Sequence, residues 1–208
     1  MKKSTIYLIV GSLALVVVML GLGAHPSGGG KATLAGESPE WVRGNPDAKV
    51  FLVEYLDFQC PACRAYSGIV KQLLADFPND LKVGYLHFPL TSIHQNALPS
   101  AVAVEAAGTQ GKFWEMSDLL FDNQSSWAAI EASEETFGFY AKQLGLDVSK
   151  FKTDLHSPDL KAKVMAQQSA GLKMGLAGTP TFYLNGKKIE NPRDYYAFKG
   201  LIEKELNK

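Results

Sequence analysis

Residues 50–63 read VFLVEYLDFQCPAC, and the fold is decided in this stretch. Val50 to Leu56 is a short run of β-branched, aliphatic and aromatic residues, as expected of a strand buried on both faces. A cysteine pair with two residues between follows, and Pro61 sits where the first turn of a helix can do without the N–H that proline lacks. Apolar residues then recur at helical spacing (Ile69, Val70, Leu73, Leu74, Phe77) until Pro78-Asn79 closes the pattern. Leu81 to Phe88, LKVGYLHF, reads as a second strand. Strand, helix and strand in this order predict a right-handed crossover between parallel neighbours.

Further along, the pattern turns helical. Ala97 to Ala107 is alanine-rich and Lys112 to Phe121 is amphipathic. Ser133-Glu134-Glu135 and Ser157-Pro158-Asp159 are helix starts, each with a capping serine ahead of acidic first-turn positions, and the second helix ends before Gly175. Beyond this block Thr181 to Leu184 is strand-like, Asn185-Gly186 is a preferred two-residue hairpin turn, and Lys187 to Ile189 return antiparallel, with Lys187-Lys188 as a solvated tip. A last amphipathic helix runs from about Tyr195 to Leu206. Phe113, Trp114, Phe121 and Trp127 are read as core of the helical block, and His87 and His94 as structural hydrogen-bonders.

A cysteine at the start of a helix faces unpaired N–H groups and the positive end of the helix dipole, which favour a thiolate. Cys60 is therefore the expected nucleophile, and Cys63, one turn further in, the resolving thiol. Two other readings of the pair remain. Half a zinc site needs two more ligands, and His25, His87, His94 and His156 offer no closely spaced pair. A structural disulfide across so short a loop restrains little of the unfolded chain. Glu54, an acid in the middle of the apolar strand, is expected to have its pKa raised by burial and to exchange protons with Cys63, the alternative being a carboxylate turned to the rim or paired with a lysine.

Cys60-Pro61-Ala62-Cys63 after Val53 to Gln59, then Gln110-Gly111-Lys112-Phe113-Trp114, then Gly178-Thr179-Pro180-Thr181-Phe182 with Asn185-Gly186-Lys187, together resemble the DsbA-like branch of the thioredoxin superfamily. The resemblance covers about residues 40–206. It implies an α/β thioredoxin fold, βαβ then ββα on a mixed sheet, with an inserted α-helical domain. The domain expectation is residues 40–92 and 175–208 for the thioredoxin part and 93–174 for the insertion. The resemblance also implies a cis Pro180 facing the cysteines, with Thr179, Pro180, Pro61 and Ala62 contacting substrate, and an acid at the Glu54 spacing. No separate cofactor is expected beyond a redox-active Cys60–Cys63 disulfide. Strong oxidants of this branch often carry Pro-His between the cysteines, and Ala62 departs from that pattern.

The N-terminus bears on compartment. Lys2 and Lys3 precede Ile6 to Ala24, an uncharged apolar run of 19 residues. At helical rise it spans roughly 28 Å, about a bilayer's hydrocarbon thickness. Residues 1–24 are read as an uncleaved anchor, with Gly21, Gly23 and Ala24 leaving signal-peptide cleavage as the alternative, and 25–39 as a flexible tether. Either way the lysines stay inside and the domain faces outward, on the outer face of the cytoplasmic membrane or released beyond it. The 208 residues carry 21 basic and 21 acidic side chains, and those beyond residue 39 carry 18 and 20, a poor balance for nucleic acid. With 46% hydrophobic residues and two cysteines, the chain is neither disordered nor a multi-disulfide scaffold. The expected activity is a thiol-disulfide oxidase. It would act on unfolded exported proteins with free thiols and be recharged by a quinone-linked membrane oxidoreductase of the DsbB or VKOR-like kind. An exported reductase or isomerase, and a peptide-binding protein with a structural disulfide, are the alternatives.

Overall fold

The structure, a computed structural model, describes residues 38–208. The anchor expected at 1–24 and nearly all of the tether at 25–39 lie outside the described residues. Among those described, no helix is long and apolar enough to cross a membrane.

The chain enters through β1 (Val42–Gly44), passes to β2 (Val50–Leu56), α1 (Pro61–Asp76) and β3 (Leu81–His87), then through six helices. These are α2 (Ala97–Gly108), α3 (Phe113–Asp122), α4 (Gln124–Trp127), α5 (Glu134–Gln143), α6 (Val148–Leu155) and α7 (Pro158–Lys173). It returns through β4 (Thr181–Leu184) and β5 (Lys187–Lys188) and closes with α8 (Tyr195–Leu206). The sheet order is β1-β3-β2-β4-β5; β2 and β3 are parallel, and every other neighbouring pair is antiparallel. This is a thioredoxin fold with an inserted helical domain between β3 and β4.

Local chemistry explains the element boundaries. Ser133, Asp147, Ser157 and Asp194 each cap a helix by accepting a backbone N–H with the side chain. Asn185 and Gly186 both have positive φ, as a tight hairpin turn requires. The short β1, α4 and α6 are additions to the elements read from sequence. α2 begins at Ala97 with Asn96 as its cap, and His94 lies in the turn before it.

The two-residue period of β2 assigns its faces. Leu52 and Leu56 join the larger core shared with α1, α8 and the insert, while Val53 and Tyr55 join a smaller cluster with Leu86, Phe88, Leu176 and Tyr183. Glu54 falls on the Leu52 and Leu56 face. Phe113, Phe121 and Trp127 are buried as expected, and the first two also reach the sheet unit: Trp41 stacks on Phe113 at 4.7 Å and Phe58 packs against Phe121 at 5.0 Å. Gly108 permits the first contact, since a Cβ there would lie 2.6 Å from the Trp41 ring.

Candidate active site

The sheet aims its central strand at the cysteines. Asp57 accepts the N–H of Gln59 through Oδ1 at 2.8 Å, and its backbone carbonyl accepts the N–H of Cys60 at 3.0 Å, so the chain turns sharply out of β2. Cys60 is the N-cap of α1 and provides no side-chain cap, which leaves its sulfur free to face the first turn. Pro61 follows at the helix start, and it and Ala62 are exposed, while Cys63 points inward and is fully buried. Both cysteines are free thiols, the reduced form of the pair.

The two sulfurs have opposite acidities. The Cys60 thiol is lowered to about 5, chiefly by the hydrogen bond from Cys63, with burial opposing and with Thr179 and the N–H groups of Cys63 and Ala62 assisting. In the thiol form Cys60 Sγ donates to the Thr179 carbonyl at 3.5 Å, and the buried Thr179 hydroxyl, otherwise unpartnered, is available to the thiolate. Cys63 is pushed well up by burial first, then by its bond to Cys60 and the Glu54 charge. Only the N–H of Asp57 works the other way.

Glu54 is 1% exposed, and neither carboxylate oxygen has a hydrogen-bond partner. Burial, followed by the charge on Cys60, raises its pKa well above the ordinary carboxylate range. It faces neither a rim nor a lysine. In register it lies between Tyr85 on β3 and Phe182 on β4, and its charge adds to burial in raising the phenol of Tyr85.

The Thr179–Pro180 bond is cis. The Pro180 carbonyl is held by Asn191 Nδ2 at 2.8 Å, beside a cavity of about 550 Å³ lined by Pro180, Thr181, Lys188, Ile189, Glu190 and Asn191. The sequence-predicted residues Cys60, Cys63, Glu54, Thr179 and Pro180 therefore gather at one end of the sheet, with Pro61 and Ala62 on its outer side.

A model of the family described as Thioredoxin matches residues 37–204. The chain belongs to the thioredoxin family. It is similar to oxidised BdbD from Bacillus subtilis, at 28% identity and a TM-score of 0.72, with 80% of this chain and 92% of that one covered. It also shares its fold with alpha-DsbA1 of Wolbachia pipientis, at 17% identity and a TM-score of 0.71, covering 80% and 90%. Among curated proteins it is 38% identical over 157 residues to "Na(+)/H(+) antiporter NhaA 1" of Mycolicibacterium gilvum, covering 74% of this chain. The chain spans about a quarter of the length of that relative, 24%, and the antiporter name belongs to the whole of it.

Sequence reasoning passed over several residues that shape the site. Asp57 carries a detectable signal, an acid two residues before a turn N–H, yet its bonds to Leu90 N at 3.0 Å and His94 Nδ1 at 2.7 Å come from a distant loop. Gln59, Asn96 and Gln124 bear no sequence signal, because their partners are backbone atoms brought together only by the fold.

Proposed function

We propose that this chain is a thiol-disulfide oxidoreductase of the DsbA type, working as an oxidase that introduces disulfides into exported proteins. The observation that carries the proposal is the Cys60 sulfur held at a pKa of about 5. A stabilised thiolate favours the reduced pair, and that makes the disulfide form a donor. The pattern in Ala62 weakens one lever used by strong oxidants, but here Cys63, Thr179 and the first-turn N–H groups supply the thiolate with donors.

In the proposed cycle a substrate thiolate attacks the Cys60 sulfur of the Cys60–Cys63 disulfide. A new S–S bond forms to substrate, the old one breaks, and Cys63 leaves with the electron pair. Glu54, whose pKa is raised well above the ordinary carboxylate range by burial without a partner, gives its proton to Cys63. A second substrate thiolate then attacks the substrate sulfur of the mixed disulfide, forming the product disulfide and releasing Cys60 as its stable thiolate. Two substrate thiols lose two electrons to the cysteine pair, and their protons go to solvent or the returning carboxylate. Substrate lies against Thr179 and Pro180 on one side of Cys60 and Pro61 and Ala62 on the other.

Lys2-Lys3 and the apolar run 6–24 support an outward-facing, membrane-anchored domain. A quinone-linked membrane oxidoreductase of the DsbB or VKOR-like kind would return the two electrons' worth of oxidation. The deciding experiment equilibrates the full chain against glutathione redox ratios. A potential of about −120 to −200 mV supports the oxidase, and one near or below about −270 mV makes it a reductase. A Cys63→Ala chain should accumulate mixed disulfides through Cys60, and failure to trap any would remove Cys60 as the attacked sulfur.

A further inference from the structure

The backbone that carries Cys60 is held from outside the thioredoxin unit. Gln124, at the start of α4 and only 4% exposed, donates through a single atom, Nε2, to two carbonyls: Phe58 at 2.7 Å and Cys60 at 3.0 Å. Two carbonyl oxygens converging on one point in a buried site repel each other unless a donor stands between them, and each left unpaired bears its full desolvation cost. The Cys60 carbonyl is also the first acceptor of α1, taking the Arg64 N–H at 3.2 Å. Its direction therefore fixes how the first turn of α1 is laid over the Cys60 sulfur.

The neighbouring residue ties the same loop to the same insert. Gln59 donates to the Ala128 carbonyl at 2.7 Å and accepts the Asn96 N–H at 2.6 Å. Asn96 in turn spans the loop after α4, donating to Trp127 and Ile130 carbonyls and accepting the Ala132 N–H. Residues 58, 59 and 60 are thus each held by a polar group of the insert, and the group bonded to the Cys60 carbonyl is Gln124.

We propose that Gln124 is a positioning residue for disulfide exchange: its amide, reaching from the helical insert, holds the Phe58 and Cys60 backbone so that the first-turn N–H groups stay aimed at the Cys60 sulfur. The proposal rests on the redox reading of the cysteine pair. Without the amide, the two carbonyls separate, the turn relaxes, and the donors that favour the thiolate lose their alignment.

The test uses the full-length chain carrying Gln124→Met, which keeps length and loses the donor, and Gln124→Glu, which puts an acceptor against the carbonyls. Three quantities are read for each: the ultraviolet thiolate titration of Cys60, the reduction potential against glutathione, and the urea midpoint. Gln124→Met should raise the Cys60 pKa by about one unit, a tenfold change in its thiol equilibrium. The same tenfold change makes the couple about 30 mV more reducing. Gln124→Glu should shift both further. If a variant fails to fold, Gln124→Asn retains an amide one methylene short and should give a smaller shift of the same sign. A lowered urea midpoint with wild-type titration and potential would make Gln124 a packing residue and overturn the proposal. A wild-type Cys60 that does not titrate low would instead bring down the redox reading, and the positioning role with it.

Discussion

Two carboxylates in this molecule are equally buried and opposite in every other respect. Glu54 on β2 and Glu105 on α2 are each 1% exposed. Glu105 receives His87 Nε2 at 2.9 Å, Lys163 Nζ at 2.6 Å and Trp41 Nε1 at 3.1 Å to both oxygens. Burial pushes its pKa up, but the bonds and charges of His87 and Lys163 outweigh that, and the net shift is down. Glu54 receives nothing, so burial has its way and the shift is up. The pair separates two uses of a buried acid. Supplied with donors, it is a fixed charge that joins Trp41 just ahead of β1 to β3, α2 and α7; denied them, it is the proton store we propose for Cys63.

The largest expected effect tests the joining role. Glu105→Ala leaves Lys163 and His87 without their buried partner and should cost about 3–5 kcal/mol in urea unfolding. The Cys60 titration of the folded fraction should not move. A cost below about 1 kcal/mol would mean that the cluster is loosely held and that the contrast with Glu54 is overstated.

Next comes the proton transfer proposed for Glu54. Glu54→Gln should slow the step in which Cys63 leaves or attacks by on the order of 10²-fold near neutral pH, followed by quenched-flow trapping of the mixed disulfide. Stability should not fall, because the substitution removes an uncompensated acid from the interior. An exchange rate with an unchanged pH profile would leave Glu54 as a buried acid without a role.

The pH dependence of stability should divide the two with opposite signs. Because the Glu54 pKa is raised on folding, its contribution is fully present below the unfolded value of about 4.5 and is lost as pH climbs toward the folded value. Glu105, lowered on folding, contributes above that unfolded value, and its contribution is lost as pH falls through the folded one. Cys60 adds a third term, in the reduced chain only: lowered from 9.0 to about 5, it stabilises the dithiol form at higher pH and ceases to do so as pH falls through about 5. Urea titrations of reduced wild type and Glu54→Gln between pH 4 and 8 should differ by a slope of at most about 1.4 kcal/mol per pH unit. Parallel curves would show that Glu54 titrates alike in both states.

The same two acids show what was legible in the sequence. Glu54 stood out because VFLVEYL is otherwise apolar, and an acid at a central strand position has nowhere to hide. Glu105 sits in AVAVEAAG, where a lone glutamate in an alanine-rich helix looks like an ordinary solvent-facing charge. Its partners lie 64, 18 and 58 residues away, and no local pattern joins them. The fold followed the same rule. Strands with β-branched runs, the Asn185-Gly186 turn and the serine caps announce themselves locally. The strand β1, three residues pairing only with β3 at the sheet's edge, does not. Cys60 and Cys63 were readable from spacing, whereas Gln124 depends on where an inserted helix happens to come to rest against the cysteine turn.

The smallest expected effect asks how far Glu105 can be moved toward the state of Glu54. Lys163→Met removes the cation while keeping a long apolar stem beside Trp41, whose ring now lies 5.1 Å from the Lys163 nitrogen. His87 and Trp41 remain as donors, so the loss should be about 1–2 kcal/mol, below that of Glu105→Ala. The carboxylate then loses one of the two charges that offset its burial, and its pKa should rise. Acid unfolding of Lys163→Met should therefore begin at a higher pH than in wild type. If the acid limb does not move, His87 alone holds Glu105 ionised, and turning this junction into a second proton store would require removing the histidine as well.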